Sequence, residues 1–112
     1  MGINELAKTT NEACEKKGWN HSFVLSEKLL LTHSELSEAY EELRAGHNPQ
    51  EVYFSKDKQG NDKPEGFGIE LADLILRILH ITAHEGLDIE ALIQQKIDYN
   101  ELRPYKHGGK LS

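Results

Sequence analysis

Residues 69–83, IELADLILRILHITA, read as one helix with almost no ordinary polar surface. Apart from Glu70, Asp73, Arg77, His80 and Thr82, every position is Leu, Ile or Ala. On a helical wheel Glu70, Asp73, Arg77, His80 and the following His84 fall within a sector of roughly 80°. A surface helix normally shows a wider polar face. This helix is therefore expected to bury most of its circumference, and its charged stripe needs partners, because unpaired buried charge is strongly disfavoured. Internal ion pairs and a functional site both satisfy that need.

The chain has 112 residues and 38% hydrophobic content, which fits one domain, residues 1–112, with a modest core that would gain from self-association. A formal net charge of −6 argues against a nucleic-acid polymer as partner and favours a cationic ligand. Cys14 is the single cysteine, so neither a disulfide framework nor a cysteine-based zinc site is expected. No basic-then-apolar leader and no long apolar run is present, and the expectation is a soluble, cytoplasmic protein without a membrane span.

Apolar spacing predicts a first helix ending near Lys17, before Gly18, and a second from about Ser26, as N-cap, to Gly46. Residues 46–66 are dense in Gly, Pro, Asn, Asp and Lys and predict a long loop, in which EVYFSK can form a short strand and DKQGND a turn. The apolar helix follows and stops near Glu85 and Gly86. Asp88 then caps a fourth helix that Pro104 closes, and residues 104–112 form a polar, glycine-containing tail. The expected fold class is all-α, a four-helix bundle with a long loop between helices two and three.

Sites in bundles are built from side chains projecting inward from facing helices. In the second helix Glu35, Glu38 and Glu42 share a sector of about 60°, beside an apolar sector of Leu29, Leu36, Tyr40 and Leu43 that is expected to face the core. Glu35/Glu38 and Glu70/Asp73 are each spaced i,i+3, so each pair lies on one helix face. Brought together, four carboxylates would repel unless a cation joined them. Oxygen ligands alone fit Mg²⁺, or Mn²⁺ as a substitute, and Mg²⁺ commonly shares its coordination with substrate phosphates. Glu41 is expected on a solvated face. In the fourth helix Lys96, Asn100 and Arg103 form a stripe at i, i+4 and i+7, followed in the tail by Lys106, His107 and Lys110. Such cations can hold phosphate oxygens or pair with the excess acids.

The set ELSE (Glu35, Glu38), PEGFGIELAD (Glu70, Asp73) and KIDYNELRPYKHGGK (Lys96, Asn100, Arg103, His107, Lys110) resembles the MazG-like all-α nucleoside triphosphate pyrophosphohydrolases, over nearly the whole chain from KKGW onward. The resemblance implies a four-helix fold, usually dimeric or tetrameric, and Mg²⁺ bound by Glu35, Glu38, Glu70 and Asp73. It implies hydrolysis of an NTP or dNTP to the nucleoside monophosphate and pyrophosphate, with Lys96, Asn100, Arg103 and Lys110 near phosphates or sugar. Glu38 or Glu42 is the expected acceptor of the attacking water's proton. Trp19, in the family-like KKGW, is a candidate for stacking on the base, with His21, Phe23, Tyr53 and Phe54 behind it; aromatics at such junctions also serve as core plugs. Arg77, His80 and His84 are expected to pair with the carboxylates.

Two departures bear on substrate choice. Ser34 stands where many members have a Glu, and the loop between the motifs is long. Base, sugar and nucleotide modification are left open, as is the choice between a homodimer and a homotetramer. The alternative function is a non-catalytic nucleotide-binding protein or helical adaptor whose carboxylates serve only in ion pairs.

Overall fold

A computed structural model describes residues 1–104. Its elements are α1 (Ile3–Lys16), α2 (Leu25–Arg44), β1 (Tyr53–Lys56), β2 (Asp62–Glu65), α3 (Phe67–His84) and α4 (Ile89–Glu101). The four expected helices are present, and the protein is mostly helical. The all-helical expectation is corrected by a small antiparallel sheet, with register running from Tyr53↔Glu65 to Lys56↔Asp62. Tyr53 and Phe54 suit an extended backbone. The turn is held by Asp57, whose Oδ1 accepts from the Gln59 N–H at 2.9 Å and the Asn61 N–H at 2.8 Å.

Helix ends follow local chemistry. α3 closes with the Leu87 N–H on the Thr82 carbonyl at 2.9 Å and the Gly86 N–H on the Ala83 carbonyl at 3.2 Å, a Schellman pair that requires Gly86 at φ 68°. α1 and α2 end on Gly18 and Gly46 by the same pattern. α2 departs from expectation at its start, since Val24 is the N-cap without a side-chain cap and Ser26 lies inside the first turn. That turn is solvent-exposed, so its free N–H groups need no side-chain partner. Asp88 does cap α4, accepting from the Ala91 N–H at 3.1 Å, and Asn4 Nδ2 donates to the same oxygen at 2.7 Å, pinning α4 to the start of α1.

α1 and α2 pack against α3, and α4 makes a smaller contact with α1. Among the described residues the buried apolar ones are Ala7, Cys14, Ala39, Leu79 and Ile81. None of α4 is buried.

The orientation of α2 reverses the expected one. Its less exposed positions are Lys28, Thr32, Glu35, Ala39 and Glu42, at heptad-like spacing, with only Ala39 fully buried. The apolar sector expected in the core points outward: Leu29 is 55% exposed, Leu36 51%, Tyr40 60% and Leu43 41%. Ile75 and Ile78 of α3 and Leu92 and Ile97 of α4 are exposed as well. The inward face of α2 thus carries its charged residues Lys28, Glu35 and Glu42 with Thr32 and Ala39, and Arg77 of α3 pairs with Glu35 on it.

Candidate functional site

α3 carries Glu70 in its first turn, with Asp73 and Arg77 on the next two turns, and Glu35 faces them from α2. One carboxylate oxygen from each of Glu35, Glu70 and Asp73 lies within 4.8 Å of the other two. Arg77 joins the helices, with Nη2 3.1 Å from Glu35 Oε1 and Nε 3.7 Å from Asp73 Oδ2. Its Nε is buried without a hydrogen-bond partner among the described residues.

Crowding acts on the Glu35 and Glu70 carboxyls. Burial raises the Glu35 carboxyl above the ordinary range, Arg77 opposes that shift, and the Asp73 and Glu38 charges add to it. Glu70 is raised by burial and then by Asp73, Glu35, Glu38 and Glu42. The donor set fits a hard divalent cation, because three acidic oxygens converge without sulfur or imidazole and their repulsion is relieved by positive charge.

The expected ligands and bases are not equally placed. Glu38 is exposed and lies outside the close trio, acting on it through its charge. Glu42 is well covered, and both its carboxylate oxygens lie 2.9 Å from the Tyr53 hydroxyl, which donates to it. Glu41 sits on the solvated face, paired with Arg44 at 3.8 Å.

A cleft of ≈ 570 Å³ opens beside the trio, with Cys14, Trp19, Lys28, Asp73, Arg77 and His80 among its lining residues. Its volume is in the range of small-molecule sites. Trp19 is 59% exposed, so its ring is not a core plug. Burial raises the Cys14 thiol, which behaves as a small apolar wall residue.

The histidines differ from expectation. His80 is buried and pairs with Asn20 rather than a carboxylate, Nε2 to Oδ1 at 2.6 Å. Asn20 in turn donates to Asn11 Oδ1 at 3.1 Å and Glu15 Oε2 at 2.8 Å. Burial, followed by the charges of Lys28, His84 and Arg77, pushes His80 below the ordinary histidine range. His84 stacks on Phe23 with centroids 3.6 Å apart and contacts Glu85, away from the trio. His21 and Phe54 are exposed, and Tyr53 stacks on His47, so it is occupied on that face.

Among the described residues, neither Lys96 of α4 nor Arg103 just beyond it pairs with the acids. Lys96 and Arg103 both lie over the Tyr99 ring, at 4.9 and 5.9 Å from its centroid, and α4 packs on α1. Asn100 Oδ1 and Arg103 Nε are buried without a hydrogen-bond partner among the described residues. Lys110, with Lys106 and His107, lies outside the described residues. Tyr53 as the partner of Glu42 and Lys28 as a cleft residue were not singled out as such by the sequence; an alternating YFSK gave no sign of which residue its phenol would meet.

No helix among the described residues is long and apolar enough to cross a membrane. Comparison with known proteins gives no match to a family model, a curated protein or a solved structure.

Proposed function

We propose that this protein is a Mg²⁺-dependent nucleoside triphosphate pyrophosphohydrolase of MazG-like character, acting on an NTP or dNTP in the cytoplasm. The observation that carries this function is the inward-facing trio of Glu35, Glu70 and Asp73 beside a cleft of ≈ 570 Å³. Glu35, Glu70 and Asp73 would hold the cation, and Glu38, outside that trio, would add its charge to theirs. When bound, Mg²⁺, or Mn²⁺ in its place, supplies charge neutralisation for the triphosphate and acidifies water.

The chain's own residues account for the remaining steps. The cleft accepts the nucleoside, with Trp19 stacking on the base, while Arg77 and Lys28 face the phosphate end with positive charge. Glu42, or Glu38, accepts a proton from the attacking water. The water oxygen bonds to the α-phosphorus as the bond from that phosphorus to the α,β-bridging oxygen breaks, and the bridging oxygen leaves with pyrophosphate.

The active form in this proposal is a homodimer or homotetramer. Supporting it, Leu29, Leu36 and Leu43 of α2 and Leu92 and Ile97 of α4 lie exposed on the single chain. The outward leucines of α2 lie on the helix that also bears the acids, and a second copy is the source from which Lys96, Asn100 and Arg103 would reach the triphosphate.

The test is pyrophosphate release from a panel of canonical NTPs and dNTPs with Mg²⁺, beside a folded Glu70→Gln, Asp73→Asn double variant. Release by the wild type alone supports the enzyme. Nucleotide binding with no release would replace it with a nucleotide-binding protein, and neither binding nor release would leave the helical adaptor, in which Arg77 alone neutralises the acids.

A further inference from the structure

We propose that Tyr53, at the base of the β1–β2 hairpin, is a positioning residue of the hydrolytic site, its phenol fixing the Glu42 carboxylate. The inference rests on the hydrolase reading and assigns Tyr53 a task within it.

Tyr53 is held from three sides. Its backbone pairs with Glu65 at the base of the hairpin. Its ring stacks on His47, with centroids 4.7 Å apart and planes at 16°. Its hydroxyl lies 2.9 Å from both oxygens of Glu42. His47 is itself anchored, with Nδ1 3.2 Å from Glu51 Oε1 and Nε2 3.8 Å from Glu42 Oε2.

The base of the hairpin is also fixed to the start of α3. Gly66, the N-cap of α3, passes so close to the Glu51 carbonyl that a Cβ there would sit 2.3 Å from its oxygen. Tyr53 is paired with the residue just before Gly66, and Glu70 lies in the first turn beyond it. One short path therefore runs from Glu42 on α2, through the phenol and the strand pair, to the helix that presents Glu70 and Asp73.

Glu42 is largely covered, its side chain 13% exposed. It is outside the close trio, yet its charge reaches Glu70. A proton acceptor must be held within hydrogen-bond reach of the water it activates, and a free glutamate samples several rotamers. The phenol remains a donor across the physiological range, since its hydrogen bond to Glu42 pushes it up to about 12.

The test is a double-mutant cycle on pyrophosphate release with Tyr53→Phe, Glu42→Gln and the pair, with kcat and KM measured separately. Tyr53→Phe keeps the ring stack and removes the hydroxyl. It is expected to lower kcat about 10- to 100-fold with KM nearly unchanged, and to add nothing in the Glu42→Gln background. Asp62→Ala, which breaks the Lys56–Asp62 pair at the far end of the hairpin, is the structural control and should leave kcat unchanged. Additive losses, an unchanged kcat in Tyr53→Phe, or an equal loss in Asp62→Ala would overturn the assignment while the hydrolase stands. A wild type inactive on every nucleotide would remove both.

Discussion

Arg77 reaches from α3 to Glu35 on α2, Nη2 to Oε1 at 3.1 Å, and so supplies the cross-helix cation of an acidic interface. The contact between the two helices thus includes a charged network that also reaches Asp73. Where a helix turns carboxylates inward and leucines outward, its packing and its chemistry become one problem.

Removing that cation should expose the conflict. Arg77→Met is expected to lower stability by about 1 to 2 kcal/mol in EDTA, a value kept small because the Arg77 side chain is 39% exposed. Saturating Mg²⁺ should recover part of the loss by neutralising the same carboxylates. Urea unfolding of both proteins with and without Mg²⁺ checks both parts.

His80 makes stability depend on pH. Its folded-state pKa lies below the ordinary value of 6.5, so the unfolded chain binds more protons through the interval beneath that value. Its contribution is complete above about pH 6.5 and is lost as pH falls toward the depressed folded value. The melting temperature is expected to drop between pH 7.5 and 5.5, and His80→Gln, which keeps a donor for Asn20, should flatten part of that slope.

Gly66 is constrained by both conformation and space. Its φ of 133° is unfavourable for an L side chain, and an added Cβ would meet backbone at Glu51. Gly66→Ala is expected to cost at least about 2 kcal/mol and to loosen the hairpin. Denaturant unfolding gives the first effect, and faster amide exchange at residues 53–65 the second.

The outward face of α2 should control assembly. Leu36→Asp is expected to shift the protein toward monomer with little loss of helical circular dichroism, because Leu36 is already 51% exposed in the single chain. Light scattering after gel filtration reads the mass directly. Unchanged assembly would show that another face joins the copies.

Much of the fold was legible in the sequence through periodicity and its interruptions. The glycines at 18, 46 and 86 and the cap at Asp88 mark helix ends by local chemistry, which needs no knowledge of distant residues. Pairing of Arg77 with Asp73 was legible for the same reason, as an i,i+4 neighbour on one face. Which side of α2 turns inward was not. A wheel separates Leu29, Leu36 and Tyr40 from Glu35 and Glu42 but does not say which sector another helix covers; here the covered sector holds the buried Ala39 and the Glu35 that pairs with Arg77.

Contacts remote in sequence were hidden altogether. His80 finds Asn20 across 60 positions, and Glu42 finds Tyr53 through a hairpin whose register depends on the chain's return to Gly66. The stripe of Lys96, Asn100 and Arg103 was legible as a stripe, whereas its packing near α1 rather than the acids depended on how α4 leaves the Asp88 turn.

The most direct measurement follows the preferred triphosphate in ¹⁸O-labelled water with Mg²⁺ and identifies the labelled product. The account predicts label in the nucleoside monophosphate and unlabelled pyrophosphate, with no turnover in Glu70→Gln, Asp73→Asn. Label in inorganic phosphate, with nucleoside diphosphate as coproduct, would place attack at the terminal phosphorus and contradict it.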